Sequence, residues 1–384
     1  MKRFISIIAL LLVTVLLFSA CDVNVNVNVN TDPTTVTSTD TDPDDTNSPT
    51  TTTPEQTTPA QTTEPVVTLP DPVELEPTCE HLFTKRIVLE QVTTQVDGKI
   101  ANVCGKCGGW QEEILPAVKS LKILAIGNSF SDNALHYLPL LAKELGIAEI
   151  VVGRLYIGSC TIDTHWSQAQ TNAAYGRYDI NTGDGWVTQS TKTLSYALQS
   201  YDWDIITMQQ ASGTSGVPSS LTNLQNLIDY VNANKTNPNA KLYWHMTWAY
   251  SQFSTHGGFA NYNNDQMTMY NAIVDLTKNH IVPNESFAGI IPAGTAIQNY
   301  RGKDIDNSYI EGQYITSDGY HLKNISKIAV SMTWLRTLTG LSLDGITCRS
   351  HNDLSSVVQY QFEVKQLRQA AENAYLNPYE VTIP

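Results

Sequence analysis

The chain has 384 residues, enough for two or three domains, and a formal charge of −14. Residues 22–78 hold 11 acidic residues and no Lys or Arg, while Lys2 and Arg3 add +2 before them, which leaves −5 for residues 79–384. The acidity therefore belongs to one segment, says little about any catalytic surface, and excludes nucleic acid as an expected partner.

Residues 1–21 read as a secretory signal: Lys2 and Arg3, an unbroken apolar run, then Leu17-Phe18-Ser19-Ala20-Cys21. Small residues before a cysteine suit a lipoprotein signal peptidase and make Cys21 the expected lipidation site, with Phe18 standing where Leu is usual. The alternatives are an ordinary signal peptide cleaved elsewhere or an uncleaved helix; the apolar stretch is short for a membrane span. Residues 22–78 contain nine of the 17 prolines and abundant Thr, and read as a disordered linker. Such a chain spans on the order of 40 Å, which lets a lipid-anchored protein on the extracytoplasmic side reach beyond its membrane.

Residues 79–118 read as a small module. Cys79-Glu80-His81 is followed by Cys104-Gly105-Lys106-Cys107-Gly108-Gly109. Strand-like residues 87–96 and 99–103 flank Asp97-Gly98, a hairpin signal that would bring the two groups together. Cys79, His81, Cys104 and Cys107 then form a ligand set for a structural zinc ion in a zinc-ribbon-like hairpin. So short a piece buries little core, and a metal or a crosslink would help it fold. Disulfides are the competing reading, because an exported chain meets oxidising conditions. The sequence leaves open whether Cys160 and Cys348 pair.

Residues 119–384 read as one α/β domain. Apolar runs at residues 121–126, 149–152, 203–208, 241–246 and 287–291 are expected strands. Segments 134–145, 193–200, 221–232, 267–279 and 323–338 have helical spacing. A further helix is expected in the tail, residues 354–377. The alternation predicts three layers, α/β/α, around a five-stranded parallel sheet of flavodoxin-like arrangement. Sites in such folds lie beyond the carboxyl ends of the strands. Ser129, in Gly127-Asn128-Ser129, follows the first strand, and Asp318-Gly319-Tyr320-His321 precedes the helix at 323–338.

A serine hydroxyl needs a base within hydrogen-bond reach, and that base needs a partner fixing its tautomer. Asp318 and His321, three residues apart on one turn, can supply carboxylate and imidazole to Ser129. The oxyanion of acyl transfer needs preorganised donors. Candidates are the Ser129 N–H, the Gly158 N–H in Tyr156-Ile157-Gly158-Ser159-Cys160, and an amide from Gln209-Gln210 at the end of the third strand. Gln210 is preferred on the ground that adjacent glutamines alternate across a strand end. His165 and His245 are rival bases, read as a pocket wall and a core residue.

These blocks resemble the SGNH, or GDSL-type, esterase and lipase superfamily over residues 122–340. By that resemblance Ser129 matches the nucleophile, Gly158 the second-block oxyanion donor, and Asp318 and His321 the relay. Asn128 replaces the first-block Asp, and Gln209-Gln210-Ala211-Ser212 stands where Gly-x-Asn is expected. Some carbohydrate acetylesterase branches of the superfamily use Gln there. The resemblance implies a serine hydrolase with no cofactor for catalysis. Trp166, Tyr175, Trp186, Trp248 and Tyr250 fall where they could border the site, and aromatic faces suit sugar rings. The expected substrate is an acetylated carbohydrate or another small ester. A lipase or thioesterase, or a non-catalytic glycan-binding surface lipoprotein, are the other readings.

Overall fold

The computed structural model of the chain describes residues 75–302, 315–358 and 360–382. The expected signal peptide with Cys21, and all of the expected linker but residues 75–78, lie outside the described residues.

The central sheet has seven strands. In chain order they are β4 (Ser120–Gly127), β5 (Glu149–Tyr156), β6 (Gly176–Asn181), β7 (Trp186–Lys192), β8 (Ile205–Met208), β9 (Lys241–His245) and β10 (Phe287–Ile291). Their order across the sheet is β10-β9-β8-β4-β5-β6-β7. The five expected strands are β4, β5, β8, β9 and β10, and all four of their pairings are parallel. Ranked by chain position their order is 2-1-3-4-5, that of a doubly wound flavodoxin-like sheet. Leu121, Ile123, Leu124, Ala125 and Ile126 are all buried, as expected of a strand covered on both faces.

The expected strand count of five is corrected to seven by the antiparallel hairpin β6–β7, which extends the sheet beyond β5. Its sequence hides it: β7 (Trp-Val-Thr-Gln-Ser-Thr-Lys) is a half-exposed edge with no apolar run. Charge pins the extension in place. Arg154 on β5 is buried, donates to Asp179 on β6 at 2.9 Å and pairs with Asp132 at 3.0 Å. Arg177 on β6 reaches the same Asp132 at 2.9 Å. A buried cation is tolerable only with such partners.

The expected helix at 134–145 is two helices, α1 (Ser129–Leu135) and α2 (Leu138–Glu144), with Pro139 opening the second. Next come α3 (Ile162–Gln170), α4 (Leu194–Gln199), α5 (Leu224–Asn234), α6 (Gln266–Leu276) and α7 (Ala293–Arg301). The helix after the Asp/His pair is α8 (Asn324–Thr339), closed by Gly340 at φ 68°. It is buried on nearly every face, against α1, α2 and α7. The expected tail helix is a short turn at Asn352–Ser355 followed by α9 (Gln361–Leu376). No helix among the described residues is long and apolar enough to cross a membrane.

Ahead of this body lies an antiparallel sheet of β1 (Phe83–Glu90), β2 (Gly98–Cys104) and β3 (Trp110–Leu115), in that order. The expected two-residue turn at Asp97-Gly98 is instead a longer connection, residues 91–97, and β3 was not foreseen. The sheet docks on α9: Arg86 on β1 donates to the Tyr375 carbonyl at 2.7 Å. The Arg86 guanidinium stands 5.0 Å and that of Arg336 4.1 Å from the Tyr375 ring.

Candidate active site

Gly127 ends β4 and Asn128 caps α1, so Ser129 opens a helix directly at the carboxyl end of the strand. The Asn128 side-chain carbonyl accepts the Phe130 N–H at 3.0 Å, an N-cap that fixes the turn. A side chain at Gly127 would crowd Ser131 and come 3.1 Å from the Gln209 carbonyl oxygen, so it would disturb the hydrogen bond between those two residues. The Ser129 N–H belongs to the first turn, which has no carbonyl in its own helix to receive it.

Asp318 and His321 lie in a tight loop closed by a bridge between Thr316 and Leu322. Three contacts hold the loop in place. The Leu322 N–H donates to Asn133 of α1 at 2.7 Å, and the Trp248 indole donates to the Tyr320 carbonyl at 2.8 Å. Trp248 is itself fully buried and stacks on Phe130, beside the serine, at 4.2 Å. The Ser251 N–H donates to the Gly319 carbonyl at 2.8 Å. Gly319 has φ +90°, and a Cβ there would lie 2.9 Å from the Ser254 backbone, so this turn requires glycine twice over.

The loop completes a relay. His321 Nε2 lies 2.9 Å from Ser129 Oγ, and His321 Nδ1 lies 2.7 Å from Asp318 Oδ2. The other Asp318 oxygen accepts the N–H groups of His321 at 2.7 Å and of Tyr320 at 3.1 Å. Burial would raise the Asp318 carboxyl, but the backbone N–H and imidazole of His321 and the N–H of Tyr320 outweigh it and hold it below its ordinary range. Asp318 thus stays an acceptor, and Nδ1 must carry the proton that points at it. That leaves Nε2 of the neutral ring as the acceptor facing the serine. Solvent reaches the pair: the His321 and Asp318 side chains are 32% and 40% exposed.

Gly158 lies in an exposed turn just past the end of β5, next to Ser159 at φ 57°. Gly127 and Tyr156 are register partners, so Gly158 and Ser129 lie just beyond the same edge of the sheet. The Asn128 amide ties the two turns together by donating to the Cys160 carbonyl at 3.1 Å.

The expectation for Gln210 is corrected. Its amide nitrogen donates to the Ser220 carbonyl at 2.6 Å, and its oxygen accepts from Ile162 N–H at 3.1 Å and Ala211 N–H at 2.7 Å. Gln210 therefore ties three loop segments together and is not oriented as a free donor. Gln209 is the residue beneath the nucleophile turn: its amide nitrogen donates to Asn128 at 2.7 Å. Its oxygen accepts from the Ser131 hydroxyl and lies 2.9 Å from His245 Nδ1. Sequence reasoning missed this buried cluster, although Asn128 and Gln209 were both flagged as departures from the superfamily pattern. Their joint departure was the available signal.

The hydrogen bonds of both rival histidines run to groups other than Ser129. Burial lowers His165 to about 4 and His245 to about 3, so both stay neutral, held by Tyr175 and Gln209 respectively. Of the aromatics expected at the site, Trp248 and Tyr250 are fully buried, while Trp186 donates to the His136 carbonyl at 3.2 Å. Tyr320, whose ring centroid is 4.4 Å from that of His321, and Phe130, at 6.2 Å, are aromatics beside the relay. His256 packs edge-on against Tyr320 at 4.8 Å.

The family described as domain of unknown function DUF4886 matches residues 122–352, a stretch that holds the whole relay. The chain belongs to the DUF4886 family. A crystal structure of a DUF4886 protein from Bacteroides uniformis ATCC 8492 is 33% identical, with a TM-score of 0.62 over 68% of this chain and 97% of that one. A second solved structure, the α/β hydrolase LAE5 from the Lake Arreo metagenome, is 10% identical, with a TM-score of 0.34 over 57% of this chain and 95% of that one. No curated protein matches. The DUF4886 match begins after β1–β3, so Cys79, His81, Cys104 and Cys107 lie outside it.

Proposed function

We propose that this DUF4886 chain is a serine ester hydrolase of SGNH type that removes O-acetyl groups from carbohydrate. The observation that carries the reading is the unbroken line from Asp318 through His321 to Ser129, with contacts of 2.7 and 2.9 Å. A binding module has no need of a hydroxyl, an imidazole and a carboxylate in that order.

In the acylation step Ser129 Oγ attacks the ester carbonyl carbon while His321 Nε2 takes the hydroxyl proton. Asp318 stabilises the imidazolium that forms. The carbonyl oxygen becomes an oxyanion, for which the N–H groups of Ser129 and Gly158 are the donors at hand. Collapse expels the sugar alkoxide, which takes the proton from His321 Nε2 and leaves an acyl-serine. Water then repeats the sequence, with His321 as base, and releases acetate.

The openness of the relay supports a carbohydrate surface over a buried acyl chain. Tyr320 and His256 offer ring edges and faces beside His321, and Phe253, 64% exposed, precedes the Ser254 that packs on Gly319. Such an aromatic rim suits a sugar ring whose acetyl group enters the relay. The signal-like residues 1–21 support export and lipid attachment at Cys21, which would present the enzyme on the extracytoplasmic side of a bacterial membrane.

Acetate release from acetylated xylan, pectin and chitin-derived sugars, together with hydrolysis of p-nitrophenyl acetate, tests the proposal. Ser129→Ala, folded by circular dichroism, is expected to lose at least about 10⁴-fold in kcat on the small ester. Wild-type turnover by that variant contradicts the mechanism; activity on the small ester but none on any glycan contradicts only the substrate class.

A further inference from the structure

The N-terminal sheet carries a second assembly of chemically competent side chains, unconnected with the relay. Cys79 and His81 precede β1, Cys104 is the last residue of β2, and Cys107 lies in the turn to β3. Their four ligand atoms all lie within 4.8 Å of one another. We propose that Cys79, His81, Cys104 and Cys107 bind one zinc ion as a closed structural site.

Two of the six ligand–ligand distances match that coordination, and the rest stay within 4.8 Å. Around a tetrahedral zinc with Zn–S near 2.3 Å and Zn–N near 2.05 Å, two sulfurs stand about 3.8 Å apart and a sulfur and a nitrogen about 3.6 Å apart. Cys79 Sγ and Cys104 Sγ are 3.9 Å apart, and Cys107 Sγ and His81 Nδ1 are 3.6 Å apart. The turn is shaped as a knuckle. Gly108, at φ 73°, allows its N–H to return to the Cys104 carbonyl at 2.9 Å, and the Lys106 N–H points at Cys104 Sγ from 3.4 Å. That N–H stabilises a thiolate and orients it toward the other ligands.

A disulfide accounts for the cluster less well. Three thiols cannot all pair within the cluster, and the histidine would have no role. Cys160 and Cys348, the other described cysteines, are buried elsewhere and unpaired. Four protein ligands leave no open position for substrate or water, so the metal acts on folding rather than on catalysis. Position agrees. The Gln91 side chain donates to the Gly340 carbonyl at 2.8 Å, and the Val118 N–H donates to Thr93 at 3.3 Å, just ahead of β4. The small sheet thus lies by the amino end of β4, whereas Ser129 follows its carboxyl end.

The test is metal analysis of the full chain purified without chelator, alongside thiol alkylation and intact mass. One zinc per chain is expected. His81→Ala should lose it and His81→Cys, which supplies a fourth thiolate, should keep it. Cobalt exchanged into the wild-type chain should give the visible bands of a tetrahedral thiolate site. Strong chelation should lower Tm, and metal content and Tm are readouts independent of the relay's own test. Three freely alkylated thiols without stoichiometric metal, a Cys–Cys crosslink in the intact mass, or iron in place of zinc would overturn the site.

Discussion

Asn128 and Gln209 hydrogen-bond to each other at 2.7 Å under the nucleophile turn. Each is held in place by the other. Asn128 uses its carbonyl to cap α1 and to receive Gln209, and its amide to hold the Gly158 turn through Cys160. Gln209 gathers Asn128, Ser131 and His245 in a site sealed from water. Gln209→Leu strands those buried groups, at about 1–3 kcal/mol for each one left unpaired. Denaturant melts of that variant should therefore show a loss of at least about 2 kcal/mol, with kcat falling more than KM rises because the serine turn loses its floor. A stability change within about 0.5 kcal/mol would mean the cluster contributes nothing. The sequence made Ser129, Asp318 and His321 legible because residue type and order carry their chemistry. It misassigned Gln210, because which of two adjacent glutamines faces which loop depends on the Ser220 carbonyl, ten residues away, arriving where it does.

Among the elements, the five parallel strands could be read from apolar runs, since burial on both faces removes polar residues from them. The β6–β7 hairpin could not, because its fixation rests on Asp132, Arg154, Arg177 and Asp179 meeting from three elements. Helix α2 shows the same dependence on distant chain. Its last residue, Glu144, accepts the N–H groups of Thr347 at 2.7 Å, Cys348 at 3.0 Å, Arg349 at 3.1 Å and Ser350 at 2.9 Å. Burial alone would raise the Glu144 carboxyl, but the Ser350 hydroxyl and the N–H groups of Ser350, Thr347 and Cys348 outweigh it and hold it below its ordinary range. A carboxyl depressed in the folded state stabilises above its unfolded pKa, about 4.3, and that stabilisation is lost as pH falls through the folded value. Glu144→Gln should accordingly cost about 1 kcal/mol at pH 7, at the modest end because solvent reaches the carboxylate. Its deficit against wild type should shrink on acidification below the ordinary glutamate range. Urea melts across that window check it, and a deficit that stays constant or grows toward low pH counts against the assignment.

For the whole molecule, the Ser129 turn and the Cys/His cluster lie toward opposite ends of β4. Ser129, with His321 and Asp318 beside it, lies at the carboxyl end of β4, the strand that borders the switch point between β4 and β8, where doubly wound sheets leave a crevice. The Cys/His knuckle belongs to a small sheet that has too little core of its own and leans on α9 through Arg86 and Tyr375. In the proposed mechanism Ser129 is a nucleophile made reactive by His321 at 2.9 Å. The most direct measurement is intact-mass and peptide analysis after exposure to a fluorophosphonate, which reports attack by the serine oxygen whatever the natural ester. One adduct, located on Ser129 and formed far more slowly in His321→Ala, is the predicted result. An unmodified chain, or an adduct on another serine formed equally fast in both proteins, would contradict it.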